Sequence, residues 1–148
     1  MEIRDILPTF LDAAGGEIPE DIQGASLLKL IREEKPEWGE YIDMEHATVY
    51  SSENYWCALT DGKMKYIWFF RTGKEQLFDL TQDPGELYEL SGNKKYGKIL
   101  GLWRDRMIEH LAERGEEYVR DGKLQRLEKT RLYSPHYPRD DRDATKKL

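Results

Sequence analysis

Apolar residues recur at helical spacing in three places along the chain. Ile3, Ile6, Leu7, Phe10, Leu11 and Ala14 make a wide stripe that predicts an N-terminal helix. Asp5 can cap it, Pro8 falls in its first turn where a missing N–H costs nothing, and Gly15-Gly16 ends it. Residues 25–31 read as a second, short helix stopped before Pro36. The third pattern is the longest: Tyr96, Leu100, Trp103, Met107 and Leu111 line one side of a predicted helix over 93–114, with Ile99 and Ile108 beside them and Gly115 as its stop.

Between these helices the period changes to two. Residues 47–51, 55–60, 63–70 and 75–80 are rich in aromatic and β-branched side chains and predict four strands. Asp61-Gly62 is a hairpin signal, because a type I′ turn requires positive φ twice. Met64, Tyr66, Trp68 and Phe70 share one strand face. After the last strand, Asp83-Pro84-Gly85-Glu86 reads as a capping box opening a helical turn, from which Leu87 and Leu90 can fold back on the sheet. The predicted fold class is α+β: an antiparallel sheet of about four strands packed by a long C-terminal helix, with short N-terminal helices ahead of it.

Composition refines this picture modestly. A length of 148 residues suits one packed unit with a real core. The net charge of −6 argues against a general nucleic-acid partner. Residues 118–148 are nevertheless basic, and after Gly122 periodicity fades into a stretch with two prolines and many charges, expected extended or disordered. No segment approaches the roughly 18 apolar residues that predict a membrane span, so no membrane partner is expected. The start does not read as a signal peptide, since Arg4, Asp5 and Pro8 interrupt the apolar run.

Candidate chemistry is sparse. Cys57 is the sole cysteine and sits in an apolar strand, which excludes an intrachain disulfide and a cysteine metal cluster. His110 and His136 have no histidine or cysteine three or four residues away to complete a metal-ligand pair. Glu45-His46 can serve as an acid–base or substrate-binding element, or as a hydrogen-bonded loop pair. Ser26 lacks the Gly-x-Ser-x-Gly frame of a nucleophile elbow and reads as a helix-start residue.

Two segments, in this order, carry a family resemblance. The first is Asp5-Ile6-Leu7-Pro8-Thr9-Phe10-Leu11-Asp12-Ala13-Ala14-Gly15, with Pro19 and then Gln23-Gly24-Ala25-Ser26-Leu27. The second is Lys65-Tyr66-Ile67, then Gly73-Lys74-Glu75-Gln76-Leu77-Phe78-Asp79-Leu80 and Asp83-Pro84-Gly85-Glu86. Together they resemble the C-terminal part of a type I sulfatase of the arylsulfatase family, over residues 3 to about 122.

The resemblance implies three parts: residues 1–35 as terminal helices of the family's large N-terminal domain, 36–122 as its C-terminal subdomain, and 123–148 as a basic tail. It implies a parent enzyme that hydrolyses sulfate esters of sugars or aryl compounds with calcium and a formylglycine made in a Cys/Ser-x-Pro/Ala-x-Arg motif. Cys57 is followed by Ala58-Leu59-Thr60, so this chain lacks that motif. The family's metal and sulfate ligands lie upstream of the matched region.

The isolated chain is therefore expected to be inactive, to carry no cofactor of its own, and to have the catalytic N-terminal domain as its partner in the parent enzyme. Glu45, His46, Lys65, Tyr133, His136 and Tyr137 are the candidates for substrate contact where the subdomain borders the cleft. The alternative is a stand-alone module that self-associates, or a truncated gene remnant. Bacterial members of the family are often periplasmic or secreted, which bears on a parent rather than on this chain.

Overall fold

The computed structural model describes residues 2–22, 24–32, 34, 39–47 and 51–129. The chain divides into two compact units, Met1–Ile42 and Asp43–Leu148.

In the first unit, a 3₁₀ turn (Ile3–Asp5) leads into α1 (Ile6–Ala13), and α2 is a single turn (Leu28–Ile31). Pro8 lies in the first turn of α1 as expected, and Gly15 adopts φ +70° just beyond its end. Asp5 precedes α1 but does not cap it with its side chain. Its carboxylate instead accepts hydrogen bonds from Glu2 N (2.6 Å) and Ala25 N (3.1 Å). Thr9 and Asp12 follow at helical spacing on the same side. Thr9 Oγ1 accepts from Leu27 N at 2.9 Å, and Ser26 Oγ donates to Asp12 Oδ2 at 2.5 Å. The segment around Gly24 thus lies against α1, so close that a Cβ on Gly24 would collide with the Arg4 carbonyl.

The second unit holds a four-stranded sheet in the order β1-β2-β3-β4, with β1 at Ile42–His46, β2 at Trp56–Thr60, β3 at Met64–Phe69 and β4 at Glu75–Asp79. The β2–β3 and β3–β4 pairs are antiparallel, with Leu59 opposite Tyr66 and Tyr66 opposite Leu77. The strand β1 lies ahead of the predicted 47–51, of which residues 48–50 lie outside the described residues. The alternation of Asp43 and Glu45 with Met44 and His46 hid it, because its polar side chains are held by partners distant in sequence.

The long helix α3 (Gly97–Ala112) follows a 3₁₀ turn capped by Asn93, whose side chain accepts from Lys95 N at 3.1 Å. Leu100, Trp103, Met107 and Leu111 are buried, as the stripe predicts. They meet the sheet face that carries Cys57, Leu59, Tyr66, Phe70 and Leu77, all fully buried. The opposite face is also apolar: Ala58, Ile67 and Phe78 form a cluster with Met44, Trp56, Phe69 and Leu80.

Three local expectations change. No helical turn forms at Asp83-Pro84-Gly85-Glu86. Glu86 N donates to the Asp83 carbonyl at 3.1 Å, which closes a β-turn, and Glu86 itself sits at φ 54°. Asp83 Oδ2 accepts from Tyr88 N at 2.7 Å, and Leu87 stands 78% exposed instead of packing on the sheet. At the first hairpin only Gly62 has positive φ, and Asp61 Oδ1 bonds Lys63 N and Met64 N, so the turn is not type I′. That geometry occurs instead at Asp121 (φ 51°) and Gly122 (φ 66°), which join β5 (Val119–Arg120) to β6 (Lys123–Leu124). Residues 123–129, the described part of the stretch expected to lose structure, fold back: Leu127 N donates to the Phe70 carbonyl at 2.8 Å, and residues 130–148 lie outside the described residues.

One polar contact is built into the helix–sheet layer. Tyr66 donates its hydroxyl to Glu75 Oε1 at 2.6 Å, and Arg104 of α3 grips the same carboxylate through Nε (2.5 Å) and Nη2 (2.7 Å). Burial alone would raise the Glu75 pKa, but the bonds from Arg104 and Tyr66 outweigh it and hold the carboxyl below its ordinary value. A carboxyl lowered in the folded state stabilises the fold above its unfolded value of about 4.5, and the contribution is lost as pH falls through the lowered value.

Two measurements check these arguments. Glu75→Gln is expected to cost about 1–2 kcal/mol at neutral pH in urea unfolding, modest because the Arg104 side chain is 42% exposed. It should also flatten the loss of stability on acidification. Gly24→Ala is expected to destabilise the first unit by roughly 1–3 kcal/mol. Hydrogen exchange should then show lost protection at Ala25 and Leu27 with β2–β4 unchanged.

Candidate functional site

Period-two alternation along β1 decides where the candidate pair goes. Asp43 and Glu45 point toward α3, while Met44 and His46 point to the opposite face. Glu45 Oε2 accepts from Arg114 Nη1 at 2.6 Å, and Asp43 Oδ2 lies 3.9 Å from His110 Nε2. Two acids spaced two apart on a strand thus meet two bases spaced four apart at the end of a helix. Arg114 is held in its charged form: burial would lower its pKa, but the Glu45 hydrogen bond outweighs this and raises it. The Arg114 guanidinium also lies 5.8 Å from the Tyr118 ring.

His46, on the other face, stacks on Trp56 with ring centroids 5.5 Å apart at 15°. Its Nδ1–H donates to the Asn54 carbonyl at 2.9 Å. A carbonyl can only accept, so this bond places the proton on Nδ1 and leaves the Nε2 lone pair as the ring's acceptor in the neutral form. Glu45 and His46 are neighbours in sequence but do not form a dyad.

Lys65 shares the face of His46, about 15 Å away by strand spacing. Its Nζ lies 2.9 Å from both carboxylate oxygens of Glu86. The left-handed backbone of Glu86 aims that carboxylate back at β3. Tyr133, His136 and Tyr137 lie outside the described residues. Among the candidates that are described, the structure brings none together.

The sequence pattern did not single out a further cluster. Arg71, Arg126, Leu127 and Glu128 line an open cleft of about 430 Å³. The Asp121-Gly122 hairpin was its available signal, because that turn returns the chain to the end of β3.

Among the described residues, no three His, Cys, Asp or Glu side chains gather as a metal site. Cys57 is fully buried in β2, and burial pushes its thiol up to about 12, which opposes thiolate chemistry. No helix among the described residues is long and apolar enough to cross a membrane.

Comparison with known proteins agrees with the architecture. Residues 1–113 match the family described as N-sulphoglucosamine sulphohydrolase, C-terminal. An arylsulfatase of Clostridium perfringens is 39% identical over 124 residues, covering 84% of this chain and 25% of that protein. A Delta 4,5-hexuronate-2-O-sulfatase of Bacteroides thetaiotaomicron is 31% identical over 142 residues, covering 90% of this chain and 28% of that protein. Among solved structures, a 2-O GAG sulfatase superposes with a TM-score of 0.66 at 28% identity, covering 77% of this chain and 25% of that one. The chain spans about a quarter of the length of the curated relatives it matches.

The His46 geometry has a direct check. Nitrogen-15 NMR of the neutral ring is expected to show a protonated Nδ1 and a bare Nε2, the reverse of the usual solution preference. Observation of protonated Nε2 would contradict the Asn54 bond.

Proposed function

The chain belongs to the family of N-sulphoglucosamine sulphohydrolase C-terminal domains, and we propose that it serves as the end-piece of a larger sulfatase. In this reading it packs on a catalytic domain and borders the cleft in which a sulfated sugar or aryl sulfate is hydrolysed. One observation carries it. Ile3 (88% exposed), Leu7 and Phe10 (67%) display a continuous apolar stripe on the first unit. Soluble proteins rarely leave such a stripe uncovered, and the matched relatives have three-quarters of their length in which to supply the cover.

The chemistry fits a supporting role. Sulfate-ester hydrolysis needs an activated nucleophile and a cationic clamp for the departing oxygens. The sole cysteine is buried, Lys65 is engaged by Glu86, and Glu45 is engaged by Arg114. Calcium and formylglycine then belong to the catalytic domain. His46, with its Nε2 acceptor, is the described candidate best placed to meet a sugar hydroxyl. Tyr133, His136 and Tyr137 remain proposed substrate contacts.

The same stripe favours self-association when the chain is alone, with a second copy covering Leu7 and Phe10. Light scattering is expected to show concentration-dependent mass that Phe10→Asp abolishes.

The functional test uses a chromogenic aryl sulfate with calcium. The chain alone is expected to show no turnover. A chimera carrying it in place of the quarter it matches in the Clostridium perfringens arylsulfatase is expected to hydrolyse the ester, and Phe10→Asp in that chimera to lose at least about tenfold through failed docking. Turnover by the isolated chain would overturn the proposal.

A further inference from the structure

The cleft at the end of β3 is built to hold positive charge. Arg71 donates through Nη1 to the Leu127 carbonyl at 2.9 Å, and Arg126 donates through Nε to the Arg71 carbonyl at 3.2 Å. Both side chains are fixed by backbone oxygens, not by carboxylates. Among the described residues neither forms an ion pair, and Glu128 is the one carboxylate lining the cleft with them.

The scaffold beneath them is rigid. Leu127 is buried and its N–H is bonded to Phe70, and Gln125 N donates to the Tyr118 carbonyl at 2.8 Å. Tyr118 is buried and packs edge-on against Phe70 at 5.6 Å. Gly73 leaves room for the Arg126 stem: a Cβ there would stand 2.9 Å from Arg126 Cδ and 3.1 Å from Cγ. Gly73 thereby admits the Arg126 stem to the cleft that Arg71 also lines, where an anion would offset two like charges.

We propose that the Arg71–Arg126 cleft binds the oxyanion of an acidic saccharide, either a sulfate ester or a uronate carboxylate. The oxyanion follows from the two guanidiniums, whose planar donor forks match either group. The saccharide rests on the sulfatase reading above. Glu128 on the rim opposes the anion and tunes its affinity.

The test is a titration of the full chain with three probes: inorganic sulfate, glucosamine 6-sulfate and glucuronate, followed by NMR of the arginine Nε–H and backbone amide signals. Saturable shifts confined to residues 70–73 and 125–128 are expected. Tighter binding of glucosamine 6-sulfate than of glucuronate would assign the sulfate ester, and the reverse order the carboxylate. Arg126→Gln is expected to weaken binding about fivefold or more, and Glu128→Gln to strengthen it about twofold, with the melting temperature of each unchanged.

Shifts spread over the surface lysines, or unchanged affinity in both variants, would overturn the site. Binding of inorganic sulfate with neither sugar bound more tightly would overturn its assignment to a saccharide. None of these readouts depends on sulfatase turnover, so the cleft and the end-piece reading stand or fall separately.

Discussion

Leu59, Tyr66 and Leu77 lie side by side across three strands, and that register governs the larger unit. It sends every second side chain of β2, β3 and β4 toward α3, where Leu100, Trp103, Met107 and Leu111 cover them. A slip of one residue would exchange the two faces and turn Lys65 toward the helix. The Tyr66 hydroxyl comes with its apolar ring, and the layer tolerates it because Glu75 and Arg104 complete the hydrogen bonds a buried hydroxyl needs. The same alternation points Glu45 at Arg114 and places His46 against Trp56.

The sequence patterns that identify the family have structural roles in this chain. Asp5, Thr9 and Asp12 are hydrogen-bonded to the segment 25–27, and Gly24 permits its close approach to Arg4. Lys65 and Glu86 join the end of the Asp83-Pro84-Gly85-Glu86 turn to the middle of the sheet. Glu75 anchors α3, and Gly73 makes space for Arg126. A family signature made of such contacts marks a scaffold. Among the described residues, that scaffold presents an imidazole with a fixed tautomer and a cleft lined by two arginines.

Regular features were legible from the residues alone. The stripe through Leu100, Trp103, Met107 and Leu111 and the alternation through Tyr66, Trp68 and Phe70 depend on backbone periods of 3.6 and 2, which act over a few residues. What escaped was set by partners distant along the chain. The first strand is stabilised by Arg114 and His110, so its own acids made it look like a loop. Glu86 reads locally as a capping residue, yet Lys65 draws its carboxylate away.

The sequence by itself therefore determined the main order of N-terminal helices, central strands and long helix, the apolar faces of that sheet and helix, and the family kinship written into two separated motifs. Only the tertiary structure decided that Glu45 and His46 face apart, that Lys65 is held by Glu86, and that Arg71 and Arg126 converge. Periodicity is a property of neighbours, whereas an ion pair or a cleft exists only once packing has brought residues from different elements within reach of a hydrogen bond.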